Sequence, residues 1–138
     1  MSPDQIERVQ SSFEGLKPFA PQVARVFYAH LFAAAPQLRS MFHGDMDEQG
    51  RKLMAVLSLA VAGLDDLPSL LPAVRALGAR HVGYGVRPDH YGIVGTALLR
   101  TLEDGLGDAF TPDMRQAWAL AYATLAGAMV QESHAAVA

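Results

Sequence analysis

"LPSLLPAVRALGARHVGYGVRPDHYGIVG", residues 67–95, joins two apolar runs through a cluster of helix breakers. On the first run Leu70, Val74, Leu77 and His81 follow at steps of four, three and four residues, so they share one stripe of an α-helix. His81 therefore points where the apolar residues point. Two readings of it are open: a core histidine hydrogen-bonded to a backbone carbonyl, or a histidine that carries chemistry as a ligand or proton shuttle. Pro72 fits this helix only within its first turn, where a missing N–H costs nothing. Gly83 and Gly85 finish the helix, and Pro88 at a first helical position opens the next. There Tyr91 shares a face with Val94, Leu98 and Leu102 and reads as inward. His90 shares a face with Ile93, Ala97 and Arg100 and reads as a surface or rim residue.

The same periodicity continues on both sides. "SPDQ" opens a first helix, with Ser2 as N-cap, Pro3 at the first position and Gln5 completing a capping box; it ends near Gly15. A second helix runs from about Phe19 to Ala35 and stops at Pro36. The connector "PQLRSMFHGDMDE" leads to a third, from about Asp47 to Leu64. The helix of the opening stretch starts near Pro68 or Ser69, and the fifth lasts to about Gly105. In "FTPD", Thr111 caps a sixth helix that reaches the C-terminus. No stretch alternates strictly between apolar and polar, and no repeat or linker divides the chain. The pattern predicts one all-α domain over residues 1–138 with short connections, so that neighbouring helices pack on one another.

Composition narrows the functions. The chain has 138 residues, enough to bury roughly two-thirds of its unfolded surface. A net charge of −3 argues against a nucleic-acid or anionic-membrane partner. There is no cysteine, which excludes disulfides and thiolate metal sites and leaves histidine and carboxylate as the strong metal ligands. "MSPDQIERVQ" is too polar for a signal peptide, and the longest uncharged stretch, Gln116–Gln131, is short of the roughly 20 residues of a membrane span. A cytoplasmic protein without a membrane span is expected.

Two further residues break the apolar pattern. Gln49 heads a stripe of Leu53, Val56, Ala60 and Leu64 on the third helix. Tyr28 aligns with Ala24, Leu31 and Phe32 on the second. Each has a plain alternative, a solvated helix end for the amide and a core tyrosine with its hydroxyl at the rim for the phenol. HExxH, GxSxG, P-loop and GxGxxG patterns are missing, and Asp45 and Asp47 lack the other ligands of an EF-hand. One inward histidine is a poor site for a free metal ion. It suits a cofactor that brings most of its own ligands, as haem does with four porphyrin nitrogens.

"VFYAHLF", "QGRKLMAVL", "LPSLLPAVRALGARHVGYGV", "DHYGIVG" and "AWALAYATLAG" resemble, in order, segments of the bacterial single-domain globins and of the haem domain of flavohaemoglobins. The resemblance implies a globin fold of about six to seven helices around a pocket for haem b. It assigns His81 as the proximal iron ligand, and Tyr28 and Gln49 as the distal hydrogen-bond donors. It places Phe42 as the aromatic wedge against the haem and Leu53 and Leu57 on the distal wall. Val86, Tyr91, Val94 and Leu98 match positions on the proximal side and haem edge. Lys52 and Arg80 are candidates for pairing with the propionates, and His43 or Gln49 for a resting sixth ligand. The family sets a glutamate eleven residues after the tyrosine matched by Tyr122, where it makes the proximal histidine a stronger electron donor. Ser133 stands there instead, and Glu132 is one residue early, about 100° away on a helix.

The resemblance implies reversible binding of O2, for storage, scavenging, transport or delivery, with NO and CO as further ligands. A second expectation is a nitric oxide dioxygenase that turns NO into nitrate. No flavin or nicotinamide segment follows within these residues, so that reading expects a separate reductase. A third, a haem-based gas sensor, is less favoured because no output domain is attached.

Overall fold

In the computed structural model the backbone of residues 1–137 and the side chains of residues 1–130 are described. Among them are α1 (Pro3–Leu16), α2 (Ala20–Ala34), α3 (Met46–Ala62), α4 (Leu67–Gly83), α5 (His90–Leu106) and α6 (Pro112–Val137), with no strand. Short 3₁₀ turns cover Lys17–Phe19, Pro36–Met41 and Gly107–Ala109.

Local chemistry sets the helix starts. Ser2 Oγ accepts from the Gln5 N–H at 3.2 Å, while the Gln5 side chain accepts from the Ser2 N–H at 2.9 Å. This is the expected capping box, and it occupies two of the free donors of the first turn. Thr111 Oγ1 accepts from the Met114 N–H at 3.2 Å and starts α6 as expected. The third helix begins slightly earlier than expected, because Asp45 Oδ1 accepts from the Asp47 N–H at 2.9 Å and makes Asp45 the cap.

Two prolines depart from expectation. Pro72 lies inside α4, past its first turn. It cannot donate to the Pro68 carbonyl, yet both prolines are exposed, which leaves that carbonyl open to water. Pro88 does not open α5. It lies in a turn where the His90 N–H bonds to Arg87 O at 3.0 Å and the Tyr91 N–H to Pro88 O at 3.3 Å, so α5 starts at His90.

Burial divides into two apolar clusters. The larger draws Val9, Phe13, Phe27, Tyr28, Leu31, Met54, Leu98, Leu102 and Trp118 from α1, α2, α3, α5 and α6. The smaller holds Leu70, Val74, Tyr91, Ala126 and Met129, where α4 and the start of α5 meet α6. The fourth helix packs chiefly on α6, the third on α2, and α2 also on α5. Gly78 makes the α4–α6 contact tight: a Cβ there would sit 2.8 Å from the Met129 carbonyl oxygen. Among the described residues no helix is long and apolar enough to cross a membrane.

Candidate functional site

The third and fourth helices each carry two apolar faces. In α3 the buried residues are Gly50, Met54, Ala60 and Val61. The face one residue behind, with Gln49, Leu53 and Leu57, is only half-buried, and Val56 is 38 % exposed. Val56 was expected inside. It is not, because the face turned to α2 and α1 runs through residues 50, 54 and 61, about 100° around the helix. In α4 likewise, Leu70, Val74 and Gly78 are buried, whereas Leu77 and His81 are half-buried. Two half-covered apolar faces remain, one on each helix, and α4 packs on α6 rather than against α3.

Tyr28 stands on the α2–α3 side. Its ring is buried among Phe27, Phe32 and Phe42, with centroids at 5.2, 5.8 and 5.4 Å. Phe32 and Phe42 also meet edge to face at 5.4 Å. Aromatic neighbours in such tilted and offset arrangements hold one another's orientation. Gly50 brings the helices this close: a Cβ there would sit 2.9 Å from the Ala24 Cβ. The Tyr28 hydroxyl donates to the backbone oxygen of Gln49 at 3.4 Å, a long bond. Burial pushes its pKa up to about 12, so the phenol is a donor rather than an anion. The half-buried Gln49 side chain makes no hydrogen bond within the described residues.

His81 stands on the other side. Its Nδ1 lies 2.8 Å from the Leu77 carbonyl oxygen. A carbonyl only accepts, so Nδ1 carries the proton and Nε2 keeps a lone pair. Burial lowers the His81 pKa, the Leu77 bond raises it, and the Arg80 charge lowers it, with a net shift downward. The imidazole is thereby favoured in its neutral, ligating form. Tyr91 stacks on it at 6.4 Å and 23°, and Tyr84 meets it at 6.0 Å and 53°. The Val86 N–H donates to the His81 carbonyl at 3.0 Å and folds the corner back on the helix end.

The structure thus groups Tyr28, Phe42 and Gln49 at one place and His81, Tyr91 and Val86 at another. Leu53, Leu57 and Val94 are half-buried against the larger cluster, and Leu98 is buried within it. Lys52 and Arg80 are exposed and make no ion pair among the described residues, and His43 is exposed. Glu132 and Ser133 lie outside the residues whose side chains are described. His90 requires correction: it is 8 % exposed, not a surface or rim residue. Its Nδ1 accepts from the Arg87 N–H at 3.0 Å. It fails the expected pattern because α5 is central and buries His90, Tyr91, Gly95, Ala97, Leu98 and Thr101, more than one stripe. Two residues against the site were not singled out for it. Phe32 had a signal, its i+4 spacing from Tyr28, while Tyr84 had none among the breakers around it.

Among the described residues no three histidine or carboxylate side chains gather into a metal site. The donor set is one neutral imidazole with a pinned Nδ1–H, beside half-covered apolar faces and two exposed cations. That set fits haem, a planar apolar group that supplies four metal ligands itself and carries two carboxylates.

A family model for globins matches residues 25–129. The chain belongs to the globin family. It is 34% identical over 128 residues to a flavohemoprotein of Bacillus subtilis, covering 91% of this chain and 32% of that protein. To a flavohemoprotein of Bordetella parapertussis it is 33% identical over 138 residues, covering 98% of this chain and 34% of that protein. The globin thus spans about a third of the length of these relatives. It is also 33% identical to neuroglobin of Dissostichus mawsoni, covering 91% of this chain and 87% of that one. A bacterial globin from Campylobacter jejuni superposes with a TM-score of 0.86 at 23% identity, covering 99% of each chain. An engineered carbene transferase from Rhodothermus marinus, provisionally assigned as a nitric oxide dioxygenase, gives 0.87 at 26% identity, covering 99% of this chain and 96% of that one. The helical arrangement is therefore the globin fold, and membership of the family implies haem.

Proposed function

We propose that this globin holds haem b with His81 as a ligand to the iron and reversibly binds O2 for storage, scavenging or delivery. The observation that carries the proposal is the Nδ1–H of His81 pinned to Leu77 O at 2.8 Å, which leaves Nε2 as a fixed, neutral donor. Haem supplies the iron, four of its ligands and the affinity of the reduced metal for diatomic gases such as O2, NO and CO. Phe42, Leu53 and Leu57 offer apolar surface on the Tyr28 side; Val86, Tyr91 and Val94 offer it on the His81 side, with Leu98 behind them in the core. Lys52 and Arg80 have exposed cationic ends for the two propionates. Tyr28 supplies a hydrogen bond to the partly negative ligand. Its present acceptor is at 3.4 Å, so a closer one replaces that bond at little cost. Gln49 adds an amide donor.

Visible spectra of the ferric, deoxy ferrous and CO-bound forms test this. A Soret band that appears with haem, a five-coordinate deoxy form and a shift with CO are expected. A haem titration without a Soret shift would overturn the reading. A low-spin deoxy spectrum would identify His43 or Gln49 as a sixth ligand in the absence of gas.

A second reading draws support from the flavohemoprotein relatives and from the Rhodothermus marinus neighbour. Here Tyr28 and Gln49 would hold the O2 whose reaction with NO to nitrate haem would support, and a separate reductase would supply one electron per nitrate formed. Single-turnover nitrate formation together with steady NADH-dependent NO consumption in the presence of a reductase would favour it. Gas binding without either would leave O2 binding alone. Both readings place the chain in the cytoplasm, where such reductants are available.

A further inference from the structure

The proximal corner is held from a third helix. Tyr122, half-buried on α6, donates its hydroxyl to the Tyr91 carbonyl at 2.7 Å, a short bond between residues 31 apart in sequence. Tyr91 lies in the first turn of α5, where its carbonyl also accepts the helical bond from the N–H four residues on, that of Gly95. A carbonyl has two lone pairs, so both bonds coexist. The Tyr122 ring reaches this carbonyl only because position 95 has no side chain: a Cβ there would lie 2.8 Å from Tyr122 Cε2 and 3.0 Å from Cδ2. Burial, with Tyr91 adding to it, raises the Tyr122 pKa well above 10 and keeps the hydroxyl a donor.

We propose that Tyr122, seated in the notch at Gly95, is a positioning residue that sets the plane of the His81 imidazole by way of Tyr91. The link from Tyr91 to His81 is the stacked pair at 6.4 Å and 23°. The rings stand on different helices joined by residues 84–89, of which Tyr84, Gly85, Arg87, Pro88 and Asp89 are exposed. Backbone bonds such as Val86 N–H to His81 O at 3.0 Å tie this corner to the helix ends, but a tied backbone cannot by itself fix one ring against the other. The sixth helix can, because it grips both partners: α4 through Gly78 against Met129, and α5 through Tyr122 against the Tyr91 carbonyl. In consequence the His81 ring, held at Nδ1 by the Leu77 carbonyl, takes its plane against Tyr91 from a residue on a third helix. The inference rests on His81 being the iron ligand only for its spectroscopic consequence. The ring geometry stands without it.

Two readouts on the full chain test it: the ring-to-ring NOE between His81 and Tyr91 in the diamagnetic CO-bound form, and the iron–histidine stretching band of the deoxy ferrous form. Tyr122→Phe is expected to weaken the NOE and to broaden and shift the band. Gly95→Ala, which pushes the ring from its notch, is expected to do the same, and the double variant no more than either alone. Ser12→Ala is the control. It removes another buried bond of α6, from Trp118 Nε1 to Ser12 Oγ at 2.9 Å, and is expected to cost stability while leaving both signals in place. Unchanged NOE and band in Tyr122→Phe would overturn the proposal, as would equal changes in Ser12→Ala. A wild-type chain with the NOE but no iron–histidine band would instead refute His81 as ligand, and the NOE alone would then decide whether Tyr122 positions the ring.

Discussion

Tyr28 and His81 belong to different parts of the core. Tyr28 is a buried member of the larger cluster, held by three aromatic neighbours on α2 and the following connector. His81 is half-buried at the end of a helix that packs chiefly on α6, and among the described residues its ring hydrogen-bonds to its own helix. The proposed distal donor is thus built into the larger of the two buried clusters. His81, the proposed iron ligand, stands half-buried at a helix end, tied by its Nδ1–H to Leu77 O and stacked on Tyr91. Changes at the two residues should differ accordingly: one in ligand kinetics with the cofactor retained, the other in the cofactor itself.

The largest effect tests that division most directly. His81→Ala is expected to lower haem affinity by more than the roughly 10- to 100-fold typical of losing only a supporting partner of a ligand. The apo fold should survive, since the side chain is half-exposed. His90→Ala should keep the haem spectrum and lose stability instead, because it empties a buried position and removes the acceptor of the part-buried Arg87 N–H. Haem titration followed at the Soret band, with chemical unfolding of both variants, checks this. Loss of the spectrum from the His90 variant alone would assign the wrong histidine.

Tyr28→Phe comes next. A hydrogen bond to a ligand carrying partial charge is worth about 1.5–3 kcal/mol, and each 1.4 kcal/mol or so is tenfold. The O2 dissociation rate, measured by stopped flow, should rise about ten- to a hundredfold with the haem spectrum retained. Stability should change by less than about 1 kcal/mol, since phenylalanine keeps the ring packing and the lost internal bond is a long one. An unchanged O2 dissociation rate would remove Tyr28 from the distal role.

How much of this was legible in the sequence depends on what each signal measures. Helix starts at Ser2, Pro3, Gln5 and at Thr111, Pro112 were legible because capping is local chemistry. The stripe ending at His81 was legible in part: its Leu70 and Val74 are buried but Leu77 and His81 only half-buried, because the side of α4 turned to α6 runs through Leu70, Val74 and Gly78. Burial of His90 was not, because stripe reasoning assumes a helix with one buried face, and α5 is covered by α1, α2 and α6. Val56 misled for the converse reason. Of its stripe the protein buries Ala60 and Leu64 and leaves Val56 exposed, because the face turned to α2 and α1 runs through residues 50, 54 and 61. The pairing of Tyr122 with the Tyr91 carbonyl was out of reach, since it joins positions 31 apart through a notch that no spacing announces.

The smallest effect separates the two residues by acidity. The Tyr28 pKa of about 12 keeps its hydroxyl protonated throughout the neutral and mildly alkaline range, so O2 release should be flat in pH there. His81 behaves otherwise. Its folded pKa lies below the ordinary 6.5, chiefly through burial. On acidification the unfolded chain therefore takes up its proton first. Stability contributed by the neutral imidazole is present above pH 6.5 and is lost as pH falls from there through the folded pKa. The haem-free chain should thus show a urea midpoint that declines below pH 6.5 more steeply in the wild type than in His81→Gln, which has no proton to bind at that position. Comparing the two removes the contributions of the other histidines. Parallel curves would mean that His81 is as readily protonated in the folded chain as in the unfolded one. The His81 side would then be the better solvated of the two, and its imidazole would depend on the metal, rather than on burial, to stay neutral.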